Sequence, residues 1–149
     1  MDLAVAPDIL IRALSSPDWP SKPIWGSKLR HLHPMFDRFN IELLQTLEQL
    51  IHNTLANFAQ RPDNRDHLKL TIGSQFGESV LPVLDVEQAV VFGGGAAIGD
   101  DFWLAVDLRS DAQDPSVIGN HFGQHGCNWV QVAPSFTAFC QELSISIPE

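Results

Sequence analysis

Scarcity bounds this chain before any motif does. Only two cysteines, Cys127 and Cys140, occur in 149 residues, and they do not form a Cys-x-x-Cys pair. No disulfide framework or structural zinc cluster is implied, and both are read as reduced thiols, with Cys140 in the core. Long apolar runs are missing too. No stretch approaches the ~18 consecutive apolar residues of a membrane span, and Met1-Asp2-Leu3-Ala4-Val5-Ala6-Pro7-Asp8 lacks the basic start and apolar run of a signal peptide. The expectation is one cytoplasmic domain without membrane contact, long enough to bury a real core. Basic residues are scarce in one half only. Residues 1–77 hold eight Asp/Glu and eight Lys/Arg, whereas residues 78–149 hold ten Asp/Glu and only Arg109, so the net charge of −9 belongs to the second half. Such a surface repels nucleic acid and anionic lipid and attracts a basic protein. It also serves simply to keep a protein soluble.

Motifs for nucleotide and nucleophile chemistry are absent as well. The glycine-rich stretch Gly93-Gly94-Gly95 leads to two carboxylates and a strand, with no Lys-Ser/Thr and no helix, so it reads as a turn and not as a phosphate cradle. Gly99-Asp100-Asp101 has the look of a magnesium-holding pair but lacks a second carboxylate motif. No nucleophile elbow is present, and Ser135 is placed to cap a helix. His121-x-x-x-His125-x-Cys127 offers ligand types that zinc accepts, at a spacing that serves only on a helix. Gly119, Gly123 and Gly126 argue instead for an irregular loop, which leaves a metal protein or enzyme at His121, His125 and Cys127 as the alternative to a binding role. His31-x-His33 would put two imidazoles on one face of a strand, with no third ligand in view. No cofactor is implied.

What is present is a pattern of helix, loop, long helix, strands and closing helix. Residues 8–15 suit a short helix after Pro7, and residues 16–26, with Pro17, Pro20 and Pro23, suit an extended loop. Trp19 and Trp25 in that loop either face a partner or pin the loop to the core. From Asn40 to Gln60, Leu43, Leu44, Leu47, Leu50, Ile51, Leu55 and Phe58 form an apolar stripe at helical spacing, with Asn40 as cap. Residues 67–72 alternate as a half-buried strand, and residues 73–77 read as a turn. Residues 80–86 suit a strand that Pro82 confines to an edge or bulge. Ala89-Val90-Val91-Phe92 reads as a buried strand. Phe102 to Leu108 is apolar on both faces and belongs near the middle of a sheet. Trp129 to Val132 is β-prone, and Phe136, Phe139, Cys140 and Leu143 mark a helix opening at Pro134 or Ser135 that folds back on the sheet.

Gly99-Asp100-Asp101 entering a strand, Asp114-Pro115-x-Val117 and, most specifically, Trp129-x-x-Val132-Ala133-x-Ser135-Phe136-x-x-Phe139 carry a resemblance to the SUKH superfamily, the domain of Smi-Knr-type fungal cell-wall regulators and of many bacterial immunity proteins. The resemblance covers roughly residues 78–145. The first half shows none of the family's opening helix, Leu-Pro-x-x-Tyr/Phe segment or Asn-Gly turn. It implies an α+β domain with a twisted mixed or antiparallel sheet of about four to six strands flanked by helices. It also implies a non-enzymatic protein-recognition module, commonly an immunity protein that neutralises a toxin, often a nuclease. A basic partner then meets Asp100, Asp101, Asp111 and Asp114 as rim charges, with Trp19 and Trp25 as further contacts. A scaffold without a toxin partner is the other binding role. The expected domain spans residues 1–149, with residues 1–39 as a divergent helix and Pro/Trp-rich loop.

Overall fold

The computed structural model describes residues 4–58, 73–76, 79–83, 86–97, 102–123 and 126–149. The expected strand at residues 67–72 lies outside them. The architecture is α+β, with three helices and one sheet among the described residues. The helices are α1 (Asp8–Leu14), α2 (Leu47–Phe58) and α3 (Phe136–Glu142). The strands are β1 (Ile41–Leu43), β2 (Gly73–Phe76), β3 (Ser79–Val83), β4 (Ala89–Gly95), β5 (Phe102–Asp107), β6 (Ser116–Gly123) and β7 (Gly126–Ala133). Their order across the sheet is β1-β4-β5-β6-β7-β2-β3. The first five are antiparallel neighbours, β2 runs parallel to β7, and β3 closes the far edge antiparallel to β2.

β5 is interior to the sheet, as its two apolar faces require, and Pro82 does fall on the edge strand β3, beside a register irregularity. The sheet has seven strands where four to six are expected, because two segments change type. Residues 73–76, expected in a turn, form β2. Asn40 to Leu43, expected at the start of the long helix, become the entry to β1, with a buried–exposed–buried alternation at Ile41, Glu42 and Leu43. Asn40 caps no helix, and its Oδ1 instead accepts from Gly26 N at 3.4 Å. The helix begins at Leu47, where Thr46 Oγ1 accepts from Gln49 N at 3.1 Å. Gln49 Oε1 accepts from Gln45 N at 2.7 Å, so the first turn is closed by a variant of the Thr-x-x-Gln box in which the glutamine reaches the residue before the cap.

The glycine run is corrected too: Gly93, Gly94 and Gly95 continue β4 and pair with β1. A Cβ on Gly94 would lie 2.8 Å from Phe102 O and 3.0 Å from Trp103 Cε3, so bare backbone is what lets β4 lie this close to β5.

One face of the sheet carries the main core. Phe92, Phe102, Leu104, Val106, Val117 and Val132 meet α1, the 16–40 segment and α3 there. Phe92 packs edge-on against Phe136 (5.6 Å between ring centres) and Phe139 (5.4 Å), and Phe102 stacks on Phe39 at 4.8 Å. On the other face Ala89, Val91, Ala105, Ile118 and Trp129 form a second cluster. α2 lies along β4, where Thr54 Oγ1 accepts from Val91 N at 3.0 Å. Residues 9–36 contribute Ile9, Leu10, Trp19, Leu29 and Phe36 to the main core, so the N-terminal segment is built into the domain.

Candidate functional site

The proline-rich loop parts its two tryptophans. Trp19 is 7% exposed, and its indole N–H donates to Leu44 O at 2.9 Å, which pins the loop to the core. Trp25 is 66% exposed. Its backbone is nevertheless held on both sides. Ile24 and Ile41 exchange both backbone hydrogen bonds (2.7 and 2.8 Å), Lys28 N donates to Trp25 O at 3.0 Å, and Gln45 Nε2 donates to Pro20 O at 2.7 Å. Gly26 sits against the carbonyls of Phe36 and Phe39, where a Cβ would overlap both oxygens. An aromatic ring therefore stands in solvent on a backbone that does not need ordering.

Two open clefts flank that ring. One, of about 430 Å³, lies between the loop and the end of α3 and is lined by Pro20, Lys22, Ile24, Trp25, Lys28 and Leu143 among others. The second, of about 580 Å³, has Trp25, Phe36, Arg38, Phe39 and Ala96 in its walls. Glu142 on the rim of the first is engaged by His31 Nε2. His31 and His33 lie in a turn and at a 3₁₀ start, not on a strand, and His33 Nδ1 accepts from Met35 N at 3.1 Å. The end of α3 is shaped by a left-handed residue. Ser144 has φ of 57°, Ser144 N donates to Gln141 O at 3.1 Å and Ile145 N to Cys140 O at 2.9 Å, closing the helix in a Schellman arrangement.

At the opposite end of α3, Ser135 Oγ accepts from Ala138 N at 3.0 Å, as its position before the phenylalanine pair requires. Asp114 Oδ1 accepts from Thr137 N at 2.9 Å, so this half-buried carboxylate serves as a second cap from the β5–β6 turn. Asp111 is exposed and orders the same turn through Gln113 N at 2.8 Å. Asp100 and Asp101 lie outside the described residues. Arg109 donates to Asp107 through Nε (3.1 Å to Oδ1) and Nη2 (3.0 Å to Oδ2), and Asp107 is buried.

The segment expected as a histidine-rich loop is mostly strand. His121 lies in β6 opposite Asn128, Cys127 lies in β7 opposite Phe122, and His125 is outside the described residues. Its glycines, Gly123 opposite Gly126, close a hairpin, and helical spacing does not apply. Among the described residues, no three or more His, Cys, Asp or Glu gather as metal ligands would. Burial pushes the Cys140 thiol up to about 12, with nearby Asp114 adding to the effect. Among the described residues, no helix is long and apolar enough to cross a membrane.

Sequence reasoning singled out Trp25 but missed Lys22, Lys28, Glu142 and Leu143 as its neighbours, because the groove is made only when α3 returns beside the loop. Comparison of the chain with models of known protein families, with curated proteins and with solved structures finds no match.

Proposed function

We propose that this chain is a cytoplasmic, non-enzymatic protein-recognition module that binds and neutralises a basic protein, in the manner of an immunity protein against a toxin such as a nuclease. The observation that carries this reading is the state of the acidic half. Its single Lys/Arg, Arg109, lies on the buried carboxylate of Asp107, so the half's only positive charge is spent internally while Asp111 and Glu149 face water. An excess of one sign of charge accelerates encounter with a partner of the other sign and fades as salt screens it. The SUKH resemblance of residues 78–145 supports the same role. Asp114, engaged as a helix cap, contributes charge to this surface but is not the residue to mutate.

The test is capture from native lysate at low and moderate salt, followed by association kinetics with the captured protein. The expected outcome is a basic partner whose retention falls as salt rises. Combining Asp101→Lys with Asp111→Lys then slows association roughly tenfold at low salt. An unchanged rate in that variant overturns the reading.

A further inference from the structure

The groove beside Trp25 carries charge of the opposite sign from the acidic half. Lys22 and Lys28 line it, and among the described residues neither ammonium group has an ion-pair or hydrogen-bond partner, while the one carboxylate on its rim, Glu142, is already engaged by His31. The same cleft is also lined by the apolar residues Pro20, Pro23, Ile24 and Leu143. The second cleft that Trp25 lines adds Phe39 and Ala96.

We propose that this groove is a docking site for an acidic peptide segment of a partner protein, one that places an apolar side chain against Trp25 and carboxylates on Lys22 and Lys28. Three observations converge on that occupant. A tryptophan that stands mostly in solvent and lines two clefts is of the residue type enriched at binding hot spots. The backbone beneath it is fixed by the Ile24–Ile41 bridge and by the close seat of Gly26, so covering the ring costs little ordering. Two unpartnered ammonium groups in a cleft that also has apolar walls complement a short acidic segment with one hydrophobic anchor. A polyanion such as single-stranded nucleic acid also stacks on tryptophan. The net charge of −9, however, opposes a long run of phosphates more than it opposes two or three carboxylates. The groove lies at the C-terminal end of α3, and the Asp111–Asp114 turn at its N-terminal end, so the two surfaces are separate.

Selection of a random dodecapeptide phage library on the full-length chain, with counter-selection on Trp25→Ala, tests this. Enrichment of acidic sequences that carry a recurring apolar residue is expected. The best synthetic peptide should bind about thirtyfold more weakly to Trp25→Ala, the loss of a single hot spot. It should also weaken by at least tenfold against Lys22→Glu with Lys28→Glu, and be unaffected by Asp111→Lys. Unchanged thermal midpoints in these surface variants show that loss of binding is not loss of fold. Enrichment of basic peptides, no enrichment, affinity indifferent to Trp25, or tighter binding of an oligothymidylate probe than of the peptide each overturns the proposal.

Discussion

At the scale of single residues, Cys140 and Trp25 stand at opposite ends of accessibility. Cys140 is buried against Phe136 and Phe139, and a thiolate there would be desolvated and close to Asp114, which is why its pKa rises to about 12. The folded protein therefore keeps a proton that the unfolded chain releases near pH 9, and stability falls as pH climbs from about 9 to 12. It is fully present below that window. The loss from this residue reaches about 4 kcal/mol at the upper end. Chemical denaturation of the wild type and of Cys140→Ala across this range checks it: the variant starts less stable but loses its share of the slope. In the native protein, Cys140 should also resist thiol reagents at neutral pH. Trp25 is the opposite case, since nothing in a one-dimensional reading separates it from Trp19. Both stand two positions after a proline, and only the indole's route to Leu44 O decides which is buried.

Among the elements, α3 shows most clearly what its ends require. Seven residues are too few for a helix to stand alone, and α3 persists because Phe136, Phe139 and Cys140 are buried while both ends are satisfied. Asp114→Ala removes an acceptor and a negative charge at the N-terminus and should cost about 1 kcal/mol, comparable to the loss of the Ser135 cap. Ser144→Gly relieves the left-handed backbone at the other end and should add about 0.5–1 kcal/mol. Urea unfolding of the two variants should move the midpoint in opposite directions with unchanged slope.

This helix was legible in the sequence, cap included, because every cue for it is local. β5, the first part of β4 (89–92) and the end of β7 (129–132) were legible for the same reason, through alternation and β-prone runs, whereas the glycine-punctuated stretch of β6 and the start of β7 read as loop. β1 was not legible either. Leu43 and Leu44 fall in phase with the stripe of α2, and only the Thr46-x-x-Gln49 box marks the true start. The Gly93–Gly95 stretch misled in another way. Those glycines suit the close approach of β5, a constraint set by residues that follow in the chain.

For the molecule as a whole, residues 9–36 share one hydrophobic cluster with the sheet and α3, and the C-terminal tail is tied back to them. Arg12 Nη1 donates to Pro148 O at 2.9 Å and Ser146 N to Asp18 Oδ2 at 3.0 Å. The N-terminal segment is thus packed into the shared core and is not an attached arm. Leu10→Ala, at a fully buried site of α1, should destabilise the entire domain by about 2–5 kcal/mol in a single transition, read by circular dichroism and tryptophan fluorescence together. Two transitions, one of them silent to the sheet, would contradict this. The groove was the least legible part of the site, because its walls are about 120 residues apart in the chain and meet only after the sheet has formed.

The Ile24–Ile41 bridge reaches beyond the presentation of Trp25. β1 is the outermost strand on its side of the described sheet, the position at which a second chain adds a strand, and its length of three residues already limits that pairing. The bridge occupies both the N–H and the C=O of Ile41 and withdraws them from such pairing. Evolution of this loop toward a new partner is therefore constrained from behind: a change that loosens its grip on Ile41 trades binding versatility for the hazard of uncontrolled self-assembly.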